Sequence, residues 1–558
     1  MPESTPPSSS FTDRLKRATT VIIHHGKKHT GTGIICAVAY FDPGNWGVDL
    51  QAGSEFGYRL LFVVLLAGLF AVFLQVLAAR LGCVTGIDLA SHSRLLLYNR
   101  PKHTLLYRWL GLYPLYILAE IAIIATDLAE LLGSAIALCL LFPKLELWHG
   151  VLITAFDVII ILAMGDPLRG KPVKMFEILI GAMVIAVLVC MIVIISKVDV
   201  NWAHAFEGYI PSKYIFGSGG IYTSVGILGA TVMPHSLFLG SALATQDRVS
   251  FRSKKDESNL EQLDKESDMS LPVKSVKTRS IFHRFYEDRK EAFLGAFRKP
   301  PPNLYAAATR HGEHENNPFE FIKAHLNHGT FDMVGSLLGF AVMINSLILM
   351  LASAVFFYGR GNTGGDSSPA SLFDAYDLIR DLVGQGAATL FPVALLAAGQ
   401  SSSLIATVAG QAVCEGFLQW RVSPAVRRLV TRLIAIVPSM VVAIAVGRSG
   451  VDALLVASQV ALSIVLPFVT FPLLYCTSKK AIMSVRKSRQ TDAVSDGDAS
   501  PTAGESAGDA EKAGDGEQGE LVDYSNNMLT NVVGAVMWLA VVAANVYVIV
   551  ELAMGKGG

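Results

Sequence analysis

The stretch CAVAYFDPGNWGVDL, residues 36–50, sets a carboxylate, a Pro-Gly pair and an amide inside an apolar run. A charged side chain inside a membrane span costs about 2.5–3.5 kcal/mol on insertion scales, so Asp42 calls for a compensating use. Asn45 follows three residues later. In a regular helix the two would share a face; across an unwound turn both can aim at one point, and Pro43 and Gly44 free the carbonyls a cation needs. A second stretch, GATVMPHSLF at 229–238, carries Met233, Pro234 and His235. Proline lacks the N–H that would bond the carbonyl four residues back, which releases the carbonyl of Ala230. A buried methionine alone is usually core filler. Beside a break that faces an Asp/Asn pair, its thioether becomes a candidate ligand. Carboxylate, amide oxygen, carbonyl and thioether make a particular donor set. Ca²⁺ and Mg²⁺ take oxygen-only shells, whereas sulfur favours transition metals. One thioether with one carboxylate binds moderately, and Mn²⁺ and Fe²⁺ lie low in the affinity series. These are the ions expected. His235, which ordinarily titrates near neutrality, is a candidate proton group.

The elements that must position these residues are membrane helices. Of 558 residues 52% are hydrophobic and only 16% charged, against roughly a quarter charged in soluble chains. Apolar runs of spanning length lie near 31–52, 59–80, 108–140, 147–165, 173–196, 219–245, 331–358, 386–419, 427–447, 451–477 and 527–553, about eleven spans. Lys/Arg clusters follow the second, fourth, eighth and tenth spans, which predicts a cytosolic N-terminus. Spans 1 and 6 carry the two breaks, five spans apart, and irregular backbone at membrane depth survives only inside protein or a wet cavity. Five is odd, so the halves run in opposite senses, the pattern of an inverted-repeat transporter. The expected organisation is a disordered leader at 1–30 and a first five-helix repeat at 31–196. A second repeat follows at 219–477 with a cytosolic insertion at 246–330, then an acidic disordered loop at 478–526 and an eleventh helix at 527–553. Equal numbers of basic and acidic residues, 46 each, argue against a nucleic-acid partner. The six cysteines are scattered through apolar spans without a CxxC pair. No nucleophile–base pair or phosphate loop stands out, so neither an enzyme nor a resident cofactor is expected.

DPGNW and ATVMPHSLFLGSAL resemble the natural resistance-associated macrophage protein (NRAMP) family of divalent metal transporters, and MPHSLFLGSAL looks like its fungal branch. EIAIIATDLAELLG at 120–133, AAGQSSSLIATVAGQAVCEGFL at 397–418 and SQVALSIVLPFVTFPLL at 458–474 extend the match from span 1 to span 10. The resemblance implies an all-α, leucine-transporter-type fold with a 5+5 inverted repeat and proton-coupled import of metal toward the cytosol. It implies Asp42, Asn45, Met233 and the carbonyl of Ala230 as metal ligands, with Gln459 able to approach the ion. For protons it implies Asp42, His235, Asp127 and Glu130, with Glu120 on the same span. Glu120, Asp127 and Glu130 fall on one side of a helix, and the alternative reading pairs them structurally with Arg428 or Arg432 on span 9. The small-residue stretch GQSSSLIATVAGQ, 399–411, reads as close-packing scaffold, and Asn345 as a packing or gate residue. The first span begins HTGTGII where the family commonly has Gly-Pro-Gly.

Two rival readings keep the same architecture. A cation-coupled organic-solute symporter needs helix N-termini facing a substrate carboxylate, and Asp42 would repel it. A non-transporting membrane sensor or scaffold should have lost Asp42 or Met233. The expected partners are divalent metal ions, protons and the lipid bilayer, with regulatory proteins at the cytosolic segments left open. Plasma, endosomal and vacuolar membranes all fit.

Overall fold

The structure is a computed structural model that describes residues 31–156, 174–217, 219–248, 310–359, 371–419, 423–487 and 520–554, with isolated positions between them. The 1–30 leader and the middle of the acidic stretch lie outside the described residues. Span 1 is two helices, α1 (Thr32–Val38) and α2 (Pro43–Phe56). Span 2 is α3 (Leu61–Thr85), followed by the short α4 (Leu89–Leu97). Then come α5 (Tyr113–Leu141), α6 (Leu147–Thr154), the described part of span 4, and α7 (Lys174–Ile195). Span 6 is again two helices, α8 (Gly220–Thr231) and α9 (Pro234–Leu243). Spans 7 to 11 are α10 (Phe319–Phe357), α11 (Gln385–Leu418), α12 (Pro424–Ala445), α13 (Arg448–Ser478) and α14 (Met528–Ala553). Nine helical stretches among the described residues are long and apolar enough to cross a membrane. They accommodate the eleven expected spans: Pro43–Thr85 joins the second half of span 1 to span 2, and span 4 is described only in part.

Two expectations change. Span 7 begins at Phe319 rather than near 331. Residues 319–330, FEFIKAHLNHGT, are too polar for a hydropathy window, yet the helix continues because it packs against α1 and α3. The 478–526 stretch is ordered at both ends: β1 (Ser484–Arg486) pairs antiparallel with β2 (Leu521–Asp523), with Val485 opposite Val522. Composition reports the acidic middle and not the pairing of its ends.

Both prolines start helices rather than kink them. Pro43 and Pro234 each occupy the first helical position, where a missing N–H costs nothing and the fixed φ is already helical. Asp42 is extended, at φ −62° and ψ 170°, and its side chain caps α2 by accepting from the Asn45 N–H. The polypeptide between the half-helices is enclosed by neighbours. α5 packs against α11, α12 and α13, while α2 packs against α8, α10 and α13. At Gly133 of α5 a Cβ would come within 2.0 Å of Pro43 Cβ, so only glycine lets α5 close on the first break.

The N-terminus of α1 is tied down from afar. Asp332 Oδ2 accepts the N–H groups of Gly33 at 2.6 Å and Gly31 at 3.3 Å, satisfying donors that a helix start leaves without partners and placing negative charge at the positive end of the helix. Arg248 pairs with Glu177 of α7 at 2.8 Å beside the same terminus. A separate contact lies in residues 310–317. There His314 Nε2 donates to the Thr85 carbonyl at 2.6 Å and Asn317 Nδ2 to that of Cys83 at 2.9 Å, capping α3. Asn316 Nδ2 donates to the carbonyls of Ile482 and Ser484 at 2.8 and 2.9 Å. In this layer, outside the spans, burial and then the neighbouring His314 hold His311 down at about 4.

Replacing Asp332 with alanine leaves two helix-terminal donors without this acceptor and is expected to cost about 1–2 kcal/mol. The measure is the unfolding midpoint in detergent. An unchanged midpoint would mean that the α1 terminus contributes nothing to the folded ensemble.

Candidate metal and proton site

The two helix breaks meet through Asn45. Its backbone N–H and its Nδ2 each donate to Asp42 Oδ1 at 2.9 Å, and Nδ2 also donates to the Ala230 carbonyl at 2.9 Å. Ala230 O is the acceptor that residue 234 would have taken had it not been proline, so a carbonyl released in one span is claimed by an amide from the other. Asp42, Asn45, Ala230 and Met233 are all fully or almost fully buried. Met233 is extended, φ −77° and ψ 124°, and immediately precedes α9 without a side-chain hydrogen bond to its first turn.

Span 10 and span 7 complete the enclosure. A Cβ on Gly44 would lie 1.8 Å from Gln459 Nε2, which seats the Gln459 amide directly on the first break. From α10, Asn345 Nδ2 donates to the Tyr40 carbonyl at 2.7 Å and meets Asn45 Oδ1 at 3.4 Å. Four buried atoms in this neighbourhood have no hydrogen-bond partner among the described residues: Asp42 Oδ2, Gln459 Oε1, Asn345 Oδ1 and His235 Nε2. Buried polar atoms are nearly always bonded, and leaving one unbonded costs about 1–3 kcal/mol. A cluster with several such atoms is a candidate ligand site.

The polar groups of α5 divide into two kinds. Thr126 Oγ1 meets His235 Nδ1 at 3.3 Å, linking the second break to α5. Asp127 pairs with Arg432 at 3.3 Å, and Arg432 Nη2 donates to Ser403 Oγ at 2.5 Å. Glu130 Oε1 accepts from Ser402, while its Oε2 has no hydrogen-bond partner among the described residues. Glu120 pairs with Arg427 at 2.7 Å, which corrects the expected pairing with Arg428 or Arg432. The reason is axial. Glu120 and Asp127 share a side but stand about 10 Å apart along the helix, so they reach two different arginines on α12. Arg428 lies on α12, but its side chain is outside the described residues.

Three features escaped the sequence reading. Asp49 on α2 is buried, with its Oδ2 unbonded among the described residues; its spacing of seven from Asp42, two turns on one face, was a usable signal. Ser402 and Ser403 were read as scaffold, and nothing in a run of small residues tells which serine faces a carboxylate. Thr126 sits in an apolar stretch of α5, where nothing local marks it as a partner of His235.

Truncating Arg432 to alanine strands the buried carboxylate of Asp127 and is expected to cost about 3–5 kcal/mol, whereas Asp127→Leu with Arg432→Met should recover most of that loss. Unfolding midpoints of the two variants decide it. Equal destabilisation by both would show that the pair is not what holds α5 to α12.

The family model described as natural resistance-associated macrophage protein-like (Nramp) matches residues 33–281 and 292–495. The chain is 38% identical over 534 residues to the manganese transporter pdt1 of Schizosaccharomyces pombe, covering 95% of this chain and 86% of that one. It is 34% identical to the iron transporter SMF3 of Saccharomyces cerevisiae, covering 96% and 98%. Among solved structures, a manganese transporter of Eremococcus coleocola superposes with a TM-score of 0.64 at 27% identity, covering 99% of this chain and 90% of that chain. With its two broken helices five spans apart and a family match running almost from end to end, this multi-pass membrane chain belongs to the Nramp family.

Proposed function

We propose that this chain is a proton-coupled secondary transporter that brings Mn²⁺ and Fe²⁺ toward the cytosol by alternating access. The observation that carries the reading is the meeting of the two breaks. There, Asn45 bridges Asp42 and the Ala230 carbonyl beside buried Met233, and Asp42 Oδ2 keeps a free lone pair. The names of the relatives, manganese and iron transporters, support the cargo.

In this reading the ion is held by Asp42, Asn45, the Ala230 carbonyl and Met233, and Gln459 Oε1 completes the approach. Asn45 now points an N–H at the two oxygens the cation needs. Its amide must therefore turn to offer Oδ1, exchanging two hydrogen bonds for one metal–oxygen bond. The amide is a placeholder that keeps the oxygens satisfied between cargoes, and so lowers the cost of the unloaded state. A cation at Asp42 favours its ionised form, so loading expels a proton from the carboxylate. His235, Thr126, Asp127 and Glu130 supply the polar route along α5, with Arg432 setting the charge state of Asp127 and Glu120 held by Arg427 farther along the helix. Release toward the cytosol requires α1 to leave Asp332, and the N-terminus is placed on the cytosolic side by the loop charges. The host membrane is plasma, endosomal or vacuolar.

Thioether selectivity is the sharpest handle. In proteoliposomes with an inward-directed proton gradient, wild type is expected to take up Mn²⁺ despite excess Ca²⁺ and to acidify the lumen. Met233→Ala should let Ca²⁺ compete, because an all-oxygen shell no longer discriminates against a hard ion. If folded wild type moves no Mn²⁺, the transport reading falls and a sensor on the same fold takes its place.

A further inference from the structure

The 310–317 segment brings together a second set of metal-binding side chains, none of which the helix breaks use. His92 of α4, His311 of the adjacent turn and Cys476 in the last turn of α13 offer ligand atoms that all lie within 4.8 Å of one another. The three come from positions 92, 311 and 476, so no sequence motif announces them. His92 Nδ1 and His311 Nε2 stand 2.9 Å apart. In a tetrahedral site with metal–nitrogen bonds of about 2.0–2.1 Å and a metal–sulfur bond of about 2.3 Å, donors sit about 3.4–3.6 Å apart. Inserting an ion therefore asks the two nitrogens to part by about 0.5 Å.

The tautomer is already set. Thr85 Oγ1 donates to the Leu81 carbonyl at 2.7 Å, so it meets His92 Nε2, 2.9 Å away, as an acceptor. His92 then carries its proton on Nε2 and presents the Nδ1 lone pair toward His311. Metal-ligating histidines use their other N–H in this way. The segment bearing His311 is fixed independently by His314, Asn316 and Asn317 to the C-terminal end of α3 and to residues 482 and 484. A cavity of about 610 Å³, lined among others by His92, His311, Glu313 and His314, borders the two histidines and leaves room for an ion to enter.

We propose that His92, His311 and Cys476 form a second transition-metal site, separate from the transport site, with two imidazoles, one thiolate and a water. On binding, the Cys476 thiol proton passes to water. The His311 Nε2 proton, now donated to His92 Nδ1, relocates to His311 Nδ1, so one proton is released per ion. Occupancy would replace a neutral hydrogen bond with metal–ligand bonds joining α4, the 310–317 segment and the end of α13. The proposal goes beyond the transport reading and does not depend on it.

The test is Co²⁺ titration of the full-length, chelator-stripped protein in detergent, read by absorbance with no ion gradient. Thiolate ligation gives an intense near-ultraviolet charge-transfer band, so the signal reports Cys476 and not the thioether of Met233. The band is expected in wild type and in Asp42→Ala, absent in Cys476→Ser, and shifted to at least about tenfold higher Co²⁺ in His311→Gln and Thr85→Val. Because His311 sits on a half-buried surface turn, His311→Gln serves as the decisive variant if Cys476→Ser elutes as aggregate. A wild type without the band, or a band unchanged in His311→Gln, overturns the proposal. Neither result touches the transport reading, which is judged by flux.

Discussion

The constraint on which this molecule depends is that backbone unwound at membrane depth must find its hydrogen bonds inside the protein. Asn45 meets part of it, with Asn345 on the Tyr40 carbonyl and Ser236 on that of Met233. Two N–H groups of Asn45 hold Asp42 Oδ1 and one of those also holds the Ala230 carbonyl, so one residue ties together the two places where helices stop. Proline at the first position of α2 and α9 suits each restart, because it removes one of the donors that a helix start leaves unmet. The surrounding helices then exclude lipid: α5 through Gly133, α13 through Gln459 and α10 through Asn345.

The buried polar groups sort by whether they are finished. Glu120–Arg427 and Asp127–Arg432 are closed ion pairs between α5 and α12. Their order along both helices shows that the two run in the same sense, as spans 3 and 9 must. Asp42, Asp49, Glu130 and His235 each retain an atom without a hydrogen-bond partner among the described residues. Closed pairs hold helices in register. Among the open groups, Asp42, Glu130 and His235 are ones to which the proposed transport reading assigns the cation and the protons.

The ends of the bundle are fastened by polar contacts as well as by apolar packing. Asp332 reaches back across 299 residues to the first turn of α1, and any movement of that half-helix must first release two N–H bonds. The same interspan region supplies His314 and Asn317, which cap the end of α3, Asn316, which grips residues 482 and 484, and His311, which stacks on His92. A segment that looked like inserted polar filler is thus partly structural, and it extends the helix of span 7 to Phe319.

The sequence by itself determined the spans, the two breaks and the chemistry of the donor set. Hydropathy, proline and an intramembrane carboxylate act locally, and each leaves its mark within a few residues. The released Ala230 carbonyl was legible for the same reason, since it follows from proline four positions on. The tertiary structure decided what depends on axial height and rotation between helices far apart in the chain. It chose Arg427 over Arg428 or Arg432 for Glu120, turned Ser402 and Ser403 from packing residues into partners of Glu130 and Arg432, and brought Asp332 to α1. It also gathered His92, His311 and Cys476 from three separate elements. Periodicity gives the side of a helix a residue occupies; only packing sets which neighbour stands at the same height.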